Sequence, residues 1–187
     1  MDESVALQLA YHISTARLGR RRLAARSGLS EMAVRIELER MRDRGFVRLL
    51  RSGVELTAAG RRHFRGLLDP IVRAAPVELS PSLRLDDVGL AAHLTSGAPD
   101  SVWAVRDAAV REGATGLLLL RYGPGGWAFA HDGEPVGLRN PGDAEAIGAA
   151  FPDPSEGDLL PIAFGPNAKD AGLGLWRAVL ALLAHVR

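Results

Sequence analysis

The chain has 187 residues, 47% of them hydrophobic and 24% charged, with a formal net charge of +1. That is the composition of a globular protein and excludes a disordered tail or a fibrous repeat; with no cysteine, disulfides, thiolate catalysis, cysteine-zinc sites and iron–sulfur clusters are excluded as well. No run reaches the roughly 18 apolar residues of a membrane span, and the acidic start Met1-Asp2-Glu3 lacks the basic-then-apolar pattern of a signal peptide, so a cytoplasmic protein without a membrane partner is expected.

In chain order, residues 4–15 place Val5, Leu9 and Ile13 at spacings of four, an amphipathic helix that Gly19 ends. Residues 20–27 form a short second helix, and Gly28-Leu29-Ser30 turns the chain. Ser30 is a suitable N-cap for a third helix, whose Val34, Leu38 and Met41 share one face and which Gly45 closes. Two β-prone runs around Arg51-Ser52-Gly53 signal a hairpin, and a last helix begins near Ala58 with Arg61, Arg62 and Arg65. Helix, helix–turn–helix and hairpin in this order predict a winged helix–turn–helix.

The overall charge of +1 conceals a division. Through Arg73 there are 15 arginines against 8 acids, a balance of +7, and from Ala74 onward 8 basic residues against 14 acids, a balance of −6. A basic half joined to an acidic half points to a nucleic-acid module fused to something else. In helix–turn–helix proteins the second helix of the unit enters the major groove with its first residues against base edges. If Val34, Leu38 and Met41 face inward, Ser30, Glu31, Met32, Arg35, Ile36 and Glu39 face outward. Arg35 is the expected base reader, because its guanidinium matches guanine O6 and N7. Arg48 and Arg51 flank the hairpin tip, and Arg20, Arg21 and Arg22 open the second helix, where charge and helix amides hold phosphates. Glu31 and Glu39 run against phosphate binding, although a carboxylate accepts from cytosine N4.

Composition shifts where the charge does. All three tryptophans lie beyond Arg73, as do all the prolines but Pro70. The expected division is a winged helix over 1–73, a linker over 74–82 with its two prolines, and an α+β domain over 83–187. In that domain VGLAAHL (88–94) reads as a strand, Asp100 or Ser101 caps a helix reaching Glu112, and ATGLLLLRY (114–122) reads as a central strand buried on both faces. WAFAHD (127–132) follows a Pro-Gly-Gly turn. Asn140 is expected to cap a helix that has Pro141 at its first position and Asp143 in its first turn and ends before Pro152, GDLLPIAFG (157–165) is another strand, and Asn167 caps the C-terminal helix. The expected order β-α-β-β-α-β-α describes a small sandwich-like sheet covered by helices.

No enzyme motif is present: there is no G-x-G-x-x-G, no phosphate loop and no G-x-S-x-G. His12, His63, His93, His131 and His185 lack metal-ligand spacing, and no cofactor is expected. Gly172-Leu173-Gly174 falls mid-helix, where close packing explains it better than phosphate binding. Two cations stand out. Arg106 and Lys169, the single lysine, fall within the apolar arcs of their helices, and a buried charge requires an anionic partner. Asp107, Asp158 or Asp170 would serve internally. A small anionic metabolite held by Arg106, Asp107, Asn167 and Lys169 near a helix N-terminus, with Trp103 and Trp176 as walls, is the functional alternative.

The stretches LGRRRLAARSGLSEMAVRIELERMRDRGFVR, RDAAVREGATGLLLL and GDLLPIAFGPNAKDAGLGLWRAVLAL occur in an order and spacing that cover most of the chain. Through them the sequence resembles a family of uncharacterised archaeal proteins with an N-terminal winged helix and a C-terminal domain of unknown function. The resemblance implies the two-domain architecture and a transcriptional regulator, and no established ligand or operator. The chain departs from it in its arginine content and its Gly/Pro-rich middle.

The expectation is therefore a regulator that binds double-stranded DNA, with a C-terminal effector or dimerisation domain. The apolar stretch from Phe64 to Val72, and the doubled contacts a palindrome provides, suggest a homodimer. The alternatives are a small metabolic enzyme fused to a regulatory winged helix, and a winged helix used for protein docking.

Overall fold

The structure, a computed structural model, describes residues 2–98 and 101–184. Asp100, one of the two caps expected for its helix, and His185 lie outside them. The chain divides into two compact units, Met1–Asp69 and Pro70–Arg187. Among the described residues no helix is long and apolar enough to cross a membrane.

The first unit contains α1 (Glu3–Thr15), α2 (Arg20–Ser27), α3 (Glu31–Asp43), the antiparallel hairpin β1 (Val47–Leu50) and β2 (Gly53–Leu56), and α4 (Ala58–Leu68). Local chemistry sets the boundaries. Asp2 accepts from the amides of Ser4 and Val5 and starts α1, Ser30 accepts from Ala33 N–H and starts α3, and Thr57 accepts from Gly60 N–H and starts α4. Gly45, with φ of 74°, ends α3 by a double closure in which its N–H reaches Arg42 O and that of Phe46 reaches Met41 O. α1 is more enclosed than its spacing predicts: Ala6 through Tyr11 are all buried, and the single glutamine, Gln8, donates to Ser27 O at the end of α2. Leu18, between α1 and α2, bridges to Val54 and adds a one-residue third strand beside β2. This is the expected winged helix–turn–helix.

In the second unit β3 (Ile71–Pro76), β4 (Val88–Leu94), α5 (Val102–Arg111), β5 (Gly116–Gly123), β6 (Gly126–Phe129), α6 (Val136–Arg139), α7 (Pro141–Ala150), β7 (Leu159–Gly165) and α8 (Ala168–Leu183) follow in order. The five strands form one antiparallel sheet in the order β3-β4-β7-β5-β6. α8 packs on β7 and β4, and α5 on α8 and β5. A second cluster, on residues that alternate with those along β7, gathers Leu160, Ile162 and Phe164 with Trp127, Ile147 and Phe151. The mixed α+β class is as expected.

Three sequence expectations change. Residues 74–82 are not a linker: 71–76 pair with β4 as an edge strand, Val77 and Leu79 are buried, and Ser80 donates through N–H and Oγ, each at 2.7 Å, to the carboxylate of Asp143. Asn140 stands at the start of α7 without capping it, its Oδ1 accepting from Ser82 instead. The strand buried along its whole length is β7, the middle of the five, and not β5.

Candidate nucleic-acid interface

α3 lays Val34, Leu38 and Met41 into the core of the first unit, as its spacing predicts. Glu31, Met32, Arg35 and Ile36 stand exposed, and Glu39 partly so. Ser30 is exposed at the start of the helix, with its hydroxyl engaged as the cap. Glu37, which sequence reasoning left aside, is buried and takes Arg40 Nη1 at 3.3 Å.

Each carboxylate along this surface holds an arginine. Glu39 Oε1 accepts from Arg35 Nε at 2.9 Å, one turn earlier on α3. Glu31 lies 3.8 Å from Arg21. Glu55 on β2 takes two at once, Arg48 Nη2 of the facing strand at 2.9 Å and Arg17 Nη2 at 2.7 Å, while Arg17 Nη1 also reaches Ser52 Oγ at 3.4 Å. All these arginines keep more than half of the side chain in solvent, so the pairs orient cations more than they stabilise the fold. Arg20, Arg22 and Arg51 are exposed and have no ion pair among the described residues.

Of the arginines expected at the DNA, Arg20, Arg21 and Arg22 line one recess, while Arg35, Arg48 and Arg51 are not part of it. A shallow concavity of about 490 Å³ is lined by Arg17, Arg20, Arg21, Arg22, Glu31 and Ser52. It joins the start of α2, the start of α3 and the hairpin turn. α2 begins at Gly19, which supplies no side-chain cap, so the first amides of the helix have no side-chain acceptor and face an arginine-rich recess. That combination is suited to phosphate oxygens. Sequence reasoning missed Arg17 and Glu55: Arg17 lies in an irregular connection, and its partner is 38 residues away.

In the second unit the predicted anion site loses its premise. Arg106, Asp107, Asn167 and Lys169 are all exposed. α5 buries only the narrow strip of Val105 and Ala109, which leaves Arg106 outside it. The buried run of α8 begins at Ala171, beyond the first turn that carries Lys169. Neither cation is buried, so neither requires an internal carboxylate. Asn167 caps α8 through Asp170 N–H as expected and also donates to the Asp170 carboxylate. Trp103 is 62% exposed and Trp176 is buried, so they do not form one wall. Gly174 behaves as a packing glycine, although against α5 and the turn after it: a Cβ there would lie 2.4 Å from Ala114 Cβ and 3.1 Å from Ala109 O. Among the described residues no group of three or more histidine or acidic side chains could hold a metal ion.

With this geometry in view, the comparisons bear on the first unit. Residues 8–71, about a third of the chain, match the family model of the CggR N-terminal DNA binding domain. No curated protein matches the chain. Among solved structures, the hypothetical protein PH0730 from Pyrococcus horikoshii OT3 is similar with a TM-score of 0.79 and 19% identity, over 99% of this chain and 94% of that one. At that identity the likeness carries the fold alone. The first unit is thus similar to the DNA-binding domain of a regulator, and the match supports a DNA-binding regulator.

Proposed function

We propose that the protein is a transcriptional regulator that binds double-stranded DNA by placing α3 in the major groove. The observation that carries this reading is the concavity in which Arg17, Arg20, Arg21 and Arg22 meet the start of α3 and the hairpin turn, within residues that match a DNA-binding domain. The arginines and the open amides of α2 take phosphates and set the register, and Arg35 reaches base edges. The test is a mobility-shift titration of the full chain against salt. Affinity falls steeply as salt rises, because bound arginines release counterions. Arg21→Ala weakens every sequence alike and lowers the salt slope by about 0.9. Arg35→Ala relaxes sequence preference, at about 1–3 kcal/mol for a lost bidentate contact. Failure to shift any duplex at low salt overturns the reading.

The second unit is, on this proposal, the effector-binding or dimerisation part. A homodimer doubles the few base contacts of one α3 on a palindromic site; light scattering at micromolar concentration checks it, and a monomer mass with and without DNA overturns it. Of the apolar stretch from Phe64 to Val72, Phe64, Leu67 and Ile71 are buried in the chain itself and Val72 stays 55% exposed. For the effector we propose a small anionic metabolite. With neither cation buried, what supports this is only that Arg106 and Lys169 are exposed and hold no internal carboxylate among the described residues that an anion would have to displace. A thermal-shift screen of anionic metabolites tests it: stabilisation that Lys169→Met abolishes supports the idea, and no stabilisation by any of them removes it.

A further inference from the structure

α3 exposes two large apolar side chains on its outer face, Met32 at 61% and Ile36 at 41%. The inward face of the helix is complete without them, in Val34, Leu38 and Met41. Met32, Arg35, Ile36 and Glu39 follow one another at helical spacing and form a single stripe. Within it, Glu39 Oε1 engages Nε of Arg35 at 2.9 Å and leaves the two terminal amino groups of the guanidinium for another acceptor.

We propose that the DNA half-site read by α3 contains a guanine beside a thymine, and that Glu39 is the positioning residue for the guanine contact. This rests on the DNA-binding reading above and adds the sequence class. Guanine presents O6 and N7 to a forked donor, the geometry of the terminal amino groups of Arg35. A free arginine loses considerable rotamer entropy when it makes that contact; the bond to Glu39 restricts the side chain beforehand. The second oxygen of Glu39 is suited to accept from N4 of the cytosine paired with that guanine, so the carboxylate is compatible with a G·C pair. Met32 and Ile36 have no polar function. Among the groups displayed in the major groove only the C5 methyl of thymine is apolar, so an apolar pair flanking Arg35 selects thymine next to the guanine.

The test selects bound duplexes from a randomised pool with the full chain, then alters the selected site one atom group at a time. Uracil in place of the thymine removes only the methyl and is expected to weaken binding about fourfold, the worth of one buried methyl group. Ile36→Ala or Met32→Ala erases that difference between thymine and uracil. Glu39→Ala reduces discrimination for guanine, which a bidentate contact holds at about 5- to 150-fold, without weakening non-specific binding. Glu39→Gln, which keeps an acceptor, restores part of the discrimination. A Glu39 that is only a solvated charge would behave differently, since its removal would strengthen binding to all sequences by one factor. That uniform gain, equal binding of uracil and thymine sites, or a selected pool without guanine beside thymine each overturns the proposal while leaving DNA binding intact. A pool from which no duplex is selected at low salt overturns the DNA reading with it.

Discussion

The imidazole of His93 and the carboxylate of Asp158 meet at 2.6 Å in the interior of the second unit, where the two residues are 2% and 4% exposed. The same carboxylate oxygen accepts from Ser155 N–H at 2.8 Å. Trp127 packs edge-on against the imidazole, and Arg73 of β3 is its cross-strand neighbour. The pair joins β4 to the entrance of β7, two strands whose central ladder holds the sheet together. His93→Leu leaves the buried carboxylate with Ser155 N–H but without its imidazole and is expected to cost about 1–3 kcal/mol. The double change with Asp158→Leu should cost less than His93→Leu alone, because it removes the stranded charge too. Denaturant unfolding of the full chain measures both; a loss under about 1 kcal/mol for His93→Leu would contradict the pairing.

Three glycines should respond to alanine in different ways. At Gly60 a Cβ would lie 2.0 Å from the backbone oxygen of Phe46, which cannot move without displacing the hairpin. Gly60→Ala is expected to lose about 3 kcal/mol. At Gly174 the obstacle is the Cβ of Ala114, fixed to its own backbone, and the better helix propensity of alanine offsets part of the strain, so a loss of about 2 kcal/mol is expected. Gly148, inside α7, has nothing within 4 Å of a Cβ, and alanine there should stabilise by roughly 0.5–1 kcal/mol. The order of the three melting temperatures is the check.

Acid should weaken the first unit through His12. Burial, with the charge of Arg26 adding to it, holds this imidazole down to about 4 from its ordinary 6.5. The folded form therefore stays neutral where the unfolded chain already binds a proton. The sign follows: the contribution of His12 is complete above about 6.5 and is lost as pH falls from there toward 4, amounting to roughly 1–3 kcal/mol. Thermal unfolding across that window should fall with pH in the natural chain and flatten in His12→Gln. An unchanged slope in the variant would assign the acid sensitivity elsewhere.

Much of the first unit was legible residue by residue. Ser30 starts α3 and Gly45 stops it through bonds that reach no more than five residues along the chain, and a 3.6-residue period told Val34 from Arg35. The outward face of α3 followed from the same period, and Glu39 with it, although its sequence position alone suggested a repelling charge where the structure shows a partner for Arg35.

What tertiary structure decided is non-local. β3 has an irregular burial pattern and carries Arg73, so nothing within it announces a strand; it becomes one by pairing with β4, with Ile71 opposite Leu94. Asp143 stands in the first turn of α7, as its position predicts, and what its position does not announce is that its carboxylate accepts from Ser80, 63 residues earlier. For Arg106 and Lys169 a helical wheel assigns an apolar arc without knowing how wide a strip of the helix is covered or where along it the buried run begins. Capping, turn closure and the direction of an apolar face cost or gain free energy between near neighbours, and sequence spacing records them. Strand partners, the width of a buried strip and the meeting of Arg17 or Arg48 with Glu55 depend on which distant segments come into contact, and only the packed chain determines that.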